Sequence, residues 1–160
     1  MIWIVTFIEF LIGAILHFGY DIFPSAFMAI IAPVNESIFE HLKLVLYPML
    51  LIDIILWYRY YHKDKRLLTP MLIGIVVGMM SVVLIYYFYH YGLGIDSLIA
   101  DIILLFVAIL IGNKVMLVAN LHHWQIDERQ VIVLVLIMII LFCILTFLPP
   151  DIPIFIEKKQ

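Results

Sequence analysis

The sequence predicts an all-α integral membrane protein, a bundle of five transmembrane helices with a re-entrant or interfacial segment between the first two. Hydrophobic residues make up 66% of the 160 residues and charged residues only 13%. Soluble domains are roughly half apolar and about a quarter charged. The apolar residues also gather into runs of the length that a membrane-spanning helix needs, about 20 residues. At this length we expect a single domain over residues 1–160.

Five runs meet the length requirement, and each should be helical because lipid offers the backbone no hydrogen-bonding partner. They are Ile2–Tyr20, Ser37–Tyr58, Leu68–Tyr89, Ser97–Ala119 and Val131–Leu148. The first run has no basic segment before it and no small-residue cleavage site after it, so we expect a membrane helix rather than a cleaved signal peptide. Residues Asp21–Glu36 are apolar but too short to cross, and they contain Pro24 and Pro33. They are therefore predicted to be the re-entrant or interfacial segment.

The basic residues predict the orientation of the bundle. Six of the nine lie on one side of the five predicted spans, in or near the second and fourth connections: Arg59, Lys63, Lys65, Arg66, Lys114 and Arg129. Loops rich in lysine and arginine stay in the cytoplasm. The sequence therefore predicts a protein of the plasma membrane with a cytoplasmic N-terminus and an extracytoplasmic C-terminus.

Charge and cysteine content exclude several classes of protein. The formal net charge of -3 is spread over the loops, so no basic face predicts a nucleic-acid partner. The single cysteine, Cys143, lies in an apolar run and can form neither an intramolecular disulfide nor a CxxC site. The lipid bilayer is the expected partner of the chain.

The segment Pro33–Lys43 (PVNESIFEHLK) is unusually polar for its apolar surroundings. Part of it has a structural explanation, since Asn35 is a good helix N-cap and Glu36 in the first turn suits the helix dipole. Glu40 and Lys43 are three residues apart and can pair on one helix face. Histidine at position 41 has no such explanation.

Helical spacing and the predicted topology gather these polar groups at the extracytoplasmic end. Ser37 and His41 are four residues apart and share one face, and Glu36 and Glu40 share an adjacent face. His17, at the end of the first span, flanks the same loop. The same topology sends further groups to this end, namely Tyr20, Asp21, His90, Asp96 and Asp101.

Imidazoles and carboxylates at these spacings suit a divalent metal such as zinc. The predicted metal ligands are His17, Asp21 and His41, with Glu36 and Glu40 as further candidate carboxylates. A metal-bound water would be a nucleophile near neutral pH. Without a metal, His41 would act as a general base oriented by a carboxylate, with Ser37 as a nucleophile one helical turn away.

These groups support a leading hypothesis, a membrane-embedded and metal-dependent enzyme that acts on a lipid or lipid-linked substrate at the outer leaflet. The predicted catalytic residues are His41, Glu40, Ser37 and Glu36. The predicted ligand-binding residues are Asn35, Lys43, Tyr20 and Asp101, with Lys43 meeting an anionic headgroup. Two alternatives stay open: a subunit that binds or transports a small ligand or ion, and a structural protein whose polar network only fixes helix packing. No HExxH or GxSxG motif decides between them.

Two acidic residues, Glu9 and Asp53, lie inside predicted spans and should face the bundle interior. Each could hold a proton, although hydrogen bonding between helices is the favoured interpretation. Gly74 and Gly78 form a GxxxG pair in the third span, which predicts close helix packing.

Three sequence blocks carry a family resemblance: Leu16–Asp21 (LHFGYD), Pro33–Leu44 followed by Pro48, and Thr146–Phe155 (TFLPPDIPIF). On these blocks the chain resembles a family of small bacterial multi-pass membrane proteins known only as a domain of unknown function. Phe39 stands where that family often has tryptophan. The tail Glu157–Gln160 stands where an aspartate–proline pair and a glycine-rich ending are expected. The resemblance implies no substrate.

Overall fold

A computed structural model describes residues 1–61 and 67–156 of the chain, without the side chains of residues 60 and 61. Lys63, Lys65 and Arg66 of the predicted cytoplasmic loop and the tail Glu157–Gln160 lie outside these ranges. The helices are α1 Ile2–His17, α2 Gly19–Ile22, α3 Ala26–Ile31, α4 Ile38–His41, α5 Lys43–Leu56, α6 Leu68–Tyr87, α7 Leu98–Leu121 and α8 Glu128–Phe147. Two π-helices, Trp57–Tyr61 and Phe88–Gly92, extend α5 and α6, and a 3-10 helix covers Pro153–Phe155. The predicted all-α class is confirmed.

Within the described ranges, four helices are long and apolar enough to cross a membrane. They are Ile2–Ile22, Leu68–Gly92, Leu98–Leu121 and Glu128–Phe147. The predicted class is thus supported to this extent: the chain contains helices with the length and apolar composition that a membrane span requires. The boundaries of these four agree with the predicted spans to within a few residues.

The predicted second span, Ser37–Tyr58, is not a single long helix. It starts as α4, turns at Leu42, and continues as the 14-residue α5 before the π-helix Trp57–Tyr61. Three ionisable side chains lie buried along it, Glu40, Lys43 and Asp53, and they lower its hydropathy. The predicted count of five spans is therefore not confirmed, since among the described residues this segment is not one of the four that are both long and apolar enough to cross.

The predicted re-entrant or interfacial segment contains the two short helices α2 and α3. Its end packs into the protein, since Ala29 and Ala32 are 3% and 0% exposed. Its aromatic residues Phe23 and Phe27 are exposed instead. The segment thus has one side on the bundle, and its relation to the membrane stays a prediction.

Helix α5 lies at the centre of the bundle, with Val45, Leu46 and Met49 fully buried between α1, α6 and α7. Close backbone approaches tighten this core. A Cβ atom at Gly112 would lie 2.6 Å from the Gly74 carbonyl oxygen, so only glycine allows this crossing of α6 and α7. The close packing predicted for the GxxxG pair is confirmed at Gly74.

The crossing of α1 and α5 depends on a proline as well as a glycine. Pro48 has no N–H to donate to the Leu44 carbonyl four residues earlier, which leaves that oxygen without its helical partner. Gly13 of α1 packs directly on this carbonyl, and a Cβ atom there would lie 2.7 Å from the oxygen. The two helices can approach this closely because position 13 has no side chain.

The C-terminal segment closes the end of the bundle where α4 lies. Phe39 stacks between two other rings, with centroid distances of 4.8 Å to Phe142 of α8 and 4.3 Å to Phe155 of the 3-10 helix. Thr146 of α8 also donates a hydrogen bond of 3.1 Å to Glu40. Residues that are more than one hundred positions apart in the sequence thereby hold α4 in place.

Candidate metal centre

Three side chains converge at one end of the bundle: His17 at the end of α1, Glu36 in the loop before α4, and His41 at the end of α4. One potential ligand atom from each lies within 4.8 Å of the other two. Each carboxylate oxygen of Glu36 faces a different ring, at 3.3 Å from His41 Nε2 and 3.9 Å from His17 Nε2. The two imidazole rings are 5.2 Å apart between centroids. Two imidazole nitrogens and one carboxylate thus surround a common point.

The tautomer of His41 is set by its own helix. Its Nδ1 lies 2.8 Å from the Ser37 carbonyl oxygen, which can only accept, so Nδ1 carries the hydrogen. In the neutral ring the lone pair is then on Nε2, which faces the Glu36 carboxylate. A lone pair and a carboxylate attract only if a proton or a metal ion lies between them. The arrangement therefore favours a bound cation or an imidazolium.

The electrostatics of Glu36 suit the same role. The hydrogen bond from His41 lowers the pKa of Glu36, against the opposite effect of partial burial, and both histidine charges act in the same direction as the bond. The carboxylate is thus ionised at neutral pH, which is the form that binds a metal. The side chain is 51% exposed, so this centre is open at one side.

His17 is held less tightly than His41. Its Nδ1 is buried and has no hydrogen-bond partner among the described residues. Its ring packs against Phe18 at 5.0 Å between centroids. The close contact of Gly13 with α5, one turn before His17, fixes the position of the His17 backbone. The described contacts of the ring do not fix its orientation, so a group bound to Nε2 would set it.

The loop that carries Glu36 is shaped by Asn35 and Ser37. The Ser37 N–H donates a 3.0 Å hydrogen bond to Asn35 Oδ1, and Ser37 Oγ accepts one of 3.4 Å from the Glu40 N–H. Ser37 is therefore the N-cap of α4, two residues beyond Asn35, for which the sequence predicted that position. Ser37 is also 1% exposed. Its described contacts are those of a helix cap.

Glu40 and Lys43, predicted as an acid–base group and a headgroup contact, form a buried ion pair of 2.7 Å. Lys43 is fully buried and also donates to the Ala29 and Ala32 carbonyls at 2.7 and 3.3 Å. Residue 33 is proline, so the Ala29 carbonyl has no backbone N–H four residues on, and Lys43 supplies the donor. Its ammonium group therefore contacts protein rather than lipid.

Glu40 completes this clamp from the other side. One carboxylate oxygen accepts from the Val34 N–H at 2.9 Å as well as from Lys43, and the other accepts from Thr146. The pair therefore ties the segment before Glu36 to α5 and α8. Its described contacts give it a positioning function, next to the metal centre rather than in it.

A cavity of about 560 Å³ adjoins the three converging side chains. Its walls are mostly apolar and come from α1, α4, α5, α6 and α7, and its other polar groups are Tyr86, Asp96 and Asp101. Asp101, predicted to bind ligand, accepts a hydrogen bond from Tyr89. Of the remaining predicted residues, Tyr20, Asp21, Asn35 and Lys43 are not part of the described lining.

Sequence reasoning missed two features of this centre. It preferred Asp21 as the third metal ligand and gave Glu36 as a further candidate carboxylate, whereas the structure groups Glu36 with the two histidines. Asp21 is exposed, although close enough to His17 to influence it electrostatically. Tyr86, which lines the cavity, was not among the predicted site residues, and no spacing in the sequence links it to the histidines.

The chain belongs to a family of unknown function, DUF6512, whose model matches residues 1–160. The predicted membership of an uncharacterised family is thereby confirmed. Neither a curated protein nor a solved structure matches the chain.

Proposed function

We propose that this protein is a membrane-embedded metalloenzyme, in which His17, Glu36 and His41 hold a divalent ion, preferably zinc. The observation that supports this most is the convergence of two Nε2 atoms and one carboxylate within 4.8 Å. Two histidines and a glutamate are a common ligand set of catalytic zinc, which keeps its fourth position for water. The Nδ1–H bond from His41 to the Ser37 carbonyl is the outer hydrogen bond that such ligands usually make.

The reaction proposed is hydrolysis of a lipid or lipid-linked substrate. When bound, zinc lowers the pKa of its water to about 7 and polarises the scissile group. Asp101 lines the same cavity and lies within electrostatic range of His41, so it is the candidate group to accept a proton. The apolar walls suit an acyl or isoprenoid chain, and the exposed edge at Glu36 suits a polar headgroup.

The proposal includes a fifth crossing and an outward-facing centre. Residues 38–61 are helical almost throughout, and at 1.5 Å per residue they extend over about 36 Å, enough for a core of about 30 Å. With the basic loop in the cytoplasm, His17, Glu36 and His41 lie under the outer leaflet of the plasma membrane. In a Cys143→Ala background, Asp151→Cys should react with an impermeant maleimide in intact cells, whereas Glu128→Cys should not. The reverse pattern overturns this orientation.

Elemental analysis of the purified chain tests the metal centre. After incubation with zinc and removal of the excess, we expect about one tightly bound ion per chain. His17→Ala, Glu36→Gln and His41→Ala should each lose it. His122→Ala is the matched control, since it removes an exposed histidine outside the converging group, and it should keep the ion. Equal metal content in all five proteins refutes the proposal.

A second measurement separates an enzyme from a purely structural network. Vesicles of total lipid extract are incubated with the zinc-loaded protein, and new hydrolysis products are sought by mass spectrometry with and without a chelator. The metalloenzyme predicts products that disappear with chelator and with Glu36→Gln. Loss of thermal stability in the three variants, without bound metal and without products, favours helix packing as the only role of these residues.

A further inference from the structure

A second polar cluster lies deeper in the bundle, between α1, α5 and α7. It consists of Thr6 and Glu9 of α1, Asp53 of α5 and Asn113 of α7, and none of the four is more than 1% exposed. None of them lines the cavity at the metal centre. Glu9 lies eight residues before His17, which is about 12 Å along α1. The cluster is thus separate from the metal centre.

The hydrogen bonds of this cluster satisfy only part of it. Asn113 Nδ2 donates to Glu9 Oε2 at 2.5 Å and to Thr6 Oγ1 at 3.0 Å, which uses both amide hydrogens. Four buried oxygens have no hydrogen-bond partner among residues 1–61 and 67–156: Glu9 Oε1, Asn113 Oδ1 and both carboxylate oxygens of Asp53. All four can accept, and ionised carboxylates have nothing to donate. Helix–helix hydrogen bonding, the interpretation favoured by the sequence, explains Thr6 and Asn113 but leaves Asp53 unexplained.

The packing of the helices places Glu9 and Asp53 on the same side of the Gly13 contact, with their side chains directed toward each other. Gly13 contacts Leu44 and His17 contacts His41, so α1 and α5 run antiparallel. Measured in the same direction from the contact between Gly13 and Leu44, Glu9 lies about 6 Å along α1 and Asp53 lies about 14 Å along α5. Side chains lean toward the N-terminus of their own helix, so the two carboxyl groups approach each other. They interact electrostatically.

The contact between α5 and α7 places Asn113 near Asp53 as well. Met49, one turn before Asp53 and on the same face of α5, places its terminal methyl 3.0 Å from the position of a Cβ atom on Gly112. Asn113 is the next residue. The nearest lysine in the sequence, Lys114, lies over the Trp3 ring at 5.9 Å instead.

Two carboxyl groups in a dry interior need positive charge. Leaving an ionised carboxylate buried without a partner is very unfavourable, and a second one nearby adds repulsion. Within the described ranges no ion pair involves Glu9 or Asp53. Helix α6 contributes no ionisable side chain over residues 68–83. The partner that these acceptors lack is therefore a cation small enough to enter between packed helices.

We infer that Glu9, Asp53 and Asn113 form an intramembrane binding site for monovalent cations, either protons or sodium ions. Oxygen-only ligands suit sodium as a hard cation, and a proton bound to a carboxyl needs no extra space. Ionisable groups inside membrane helices often mark ion pathways. The inference is independent of the metal centre, since it uses other residues and a different kind of ion.

The test compares thermal unfolding of the purified full chain in sodium chloride and in N-methylglucamine chloride at equal ionic strength and several pH values. A sodium site raises Tm by about 3 °C for each tenfold excess of sodium over its Kd, and Asp53→Asn abolishes this rise. A proton site makes Tm insensitive to sodium but lower at alkaline pH. In that case Asp53→Asn and Glu9→Gln, which imitate protonated carboxyls, remove the alkaline loss.

Asp151→Asn is the control, because it neutralises an exposed carboxylate far from both sites in sequence, and it should behave as the unaltered chain does. Difference infrared spectroscopy supplies a readout that does not depend on folding stability. A proton site predicts a band of a protonated carboxyl that is absent from Asp53→Asn. The inference is overturned if the Tm of the unaltered chain and of both variants responds in the same way to sodium and to pH. It is also overturned if the variants differ from the unaltered chain by a constant amount of stability that neither sodium nor pH changes, which would indicate that water fills the site.

Discussion

Replacing Gly13 by alanine tests whether the crossing of α1 and α5 sets the geometry of the metal centre. The new Cβ atom would lie 2.7 Å from the Leu44 carbonyl oxygen, whereas carbon and oxygen in contact keep about 3.3 Å or more. The obstacle is a backbone atom, so no side-chain rotation relieves the clash. Helix α1 must therefore move away from α5 by about 0.6 Å.

His17 is one turn beyond Gly13 on the same face, so it moves with the helix. Its Nε2 already lies 3.9 Å from Glu36 Oε1, and metal sites tolerate deviations of only about 0.2 Å in ligand distance. We expect a loss of metal affinity of about 10- to 100-fold, similar to the loss of an outer-shell partner. Overpacking should also lower the free energy of unfolding by about 1–3 kcal/mol.

The assay is competition for zinc against a chelator of known affinity, together with chemical unfolding of the purified protein. Gly92→Ala is the matched control, since the nearest atom to a Cβ there is Phe88 Cδ2 at 3.9 Å, and it should change neither quantity. An alanine at position 13 that leaves zinc affinity and stability unchanged would show that the close approach does not position His17.

Two further predictions concern the loop that carries Glu36. Lys43→Met leaves Glu40 charged and buried without its 2.7 Å partner, which should cost about 3–5 kcal/mol in unfolding measurements. Adding Glu40→Leu should recover much of this loss, and no recovery would contradict the assignment of a buried pair. The hydrogen bond from His41 lowers the pKa of Glu36 in the folded protein. The ionised Glu36 therefore contributes its full stabilisation at pH values above its pKa in the unfolded chain. This stabilisation is lost as the pH falls through the pKa of Glu36 in the folded protein. Glu36→Gln should therefore flatten the acid side of a Tm–pH curve measured without metal; an unchanged acid side would refute this.

The three sequence blocks behind the family resemblance meet at the metal centre. The first supplies His17, the second supplies Glu36, His41 and the Glu40–Lys43 pair, and the third supplies Thr146 and Phe155, which hold α4. The intervening helices provide mainly apolar surface.

The buried Glu40–Lys43 pair and the buried Asp53 differ in whether their polar atoms have hydrogen-bond partners. Around Glu40 and Lys43, each carbonyl and carboxylate oxygen named above has a donor within hydrogen-bonding distance. Asp53, by contrast, is equally buried and has none among the described residues. The first arrangement is what a structural ion pair needs, whereas the second is what an ion-binding group looks like in a dry interior.

The sequence alone determined the all-α class and four helices that are long and apolar enough to cross a membrane, because run length and composition decide whether a segment is stable in lipid. It also brought His17 and His41 into one hypothesis, since both flank the same predicted loop. Spacing along a helix is a local property, and these conclusions needed nothing more.

The tertiary structure decided which groups accompany the histidines and which serve the scaffold. Glu36 faces both rings because Lys43 binds carbonyls 11 and 14 residues earlier in the chain, and Gly13 lets α1 approach α5. The same contacts bury Glu40 and Lys43. Whether a charge is buried depends on partners distant in sequence, so no local pattern could distinguish the candidate ligand Glu36 from the clamp residue Glu40.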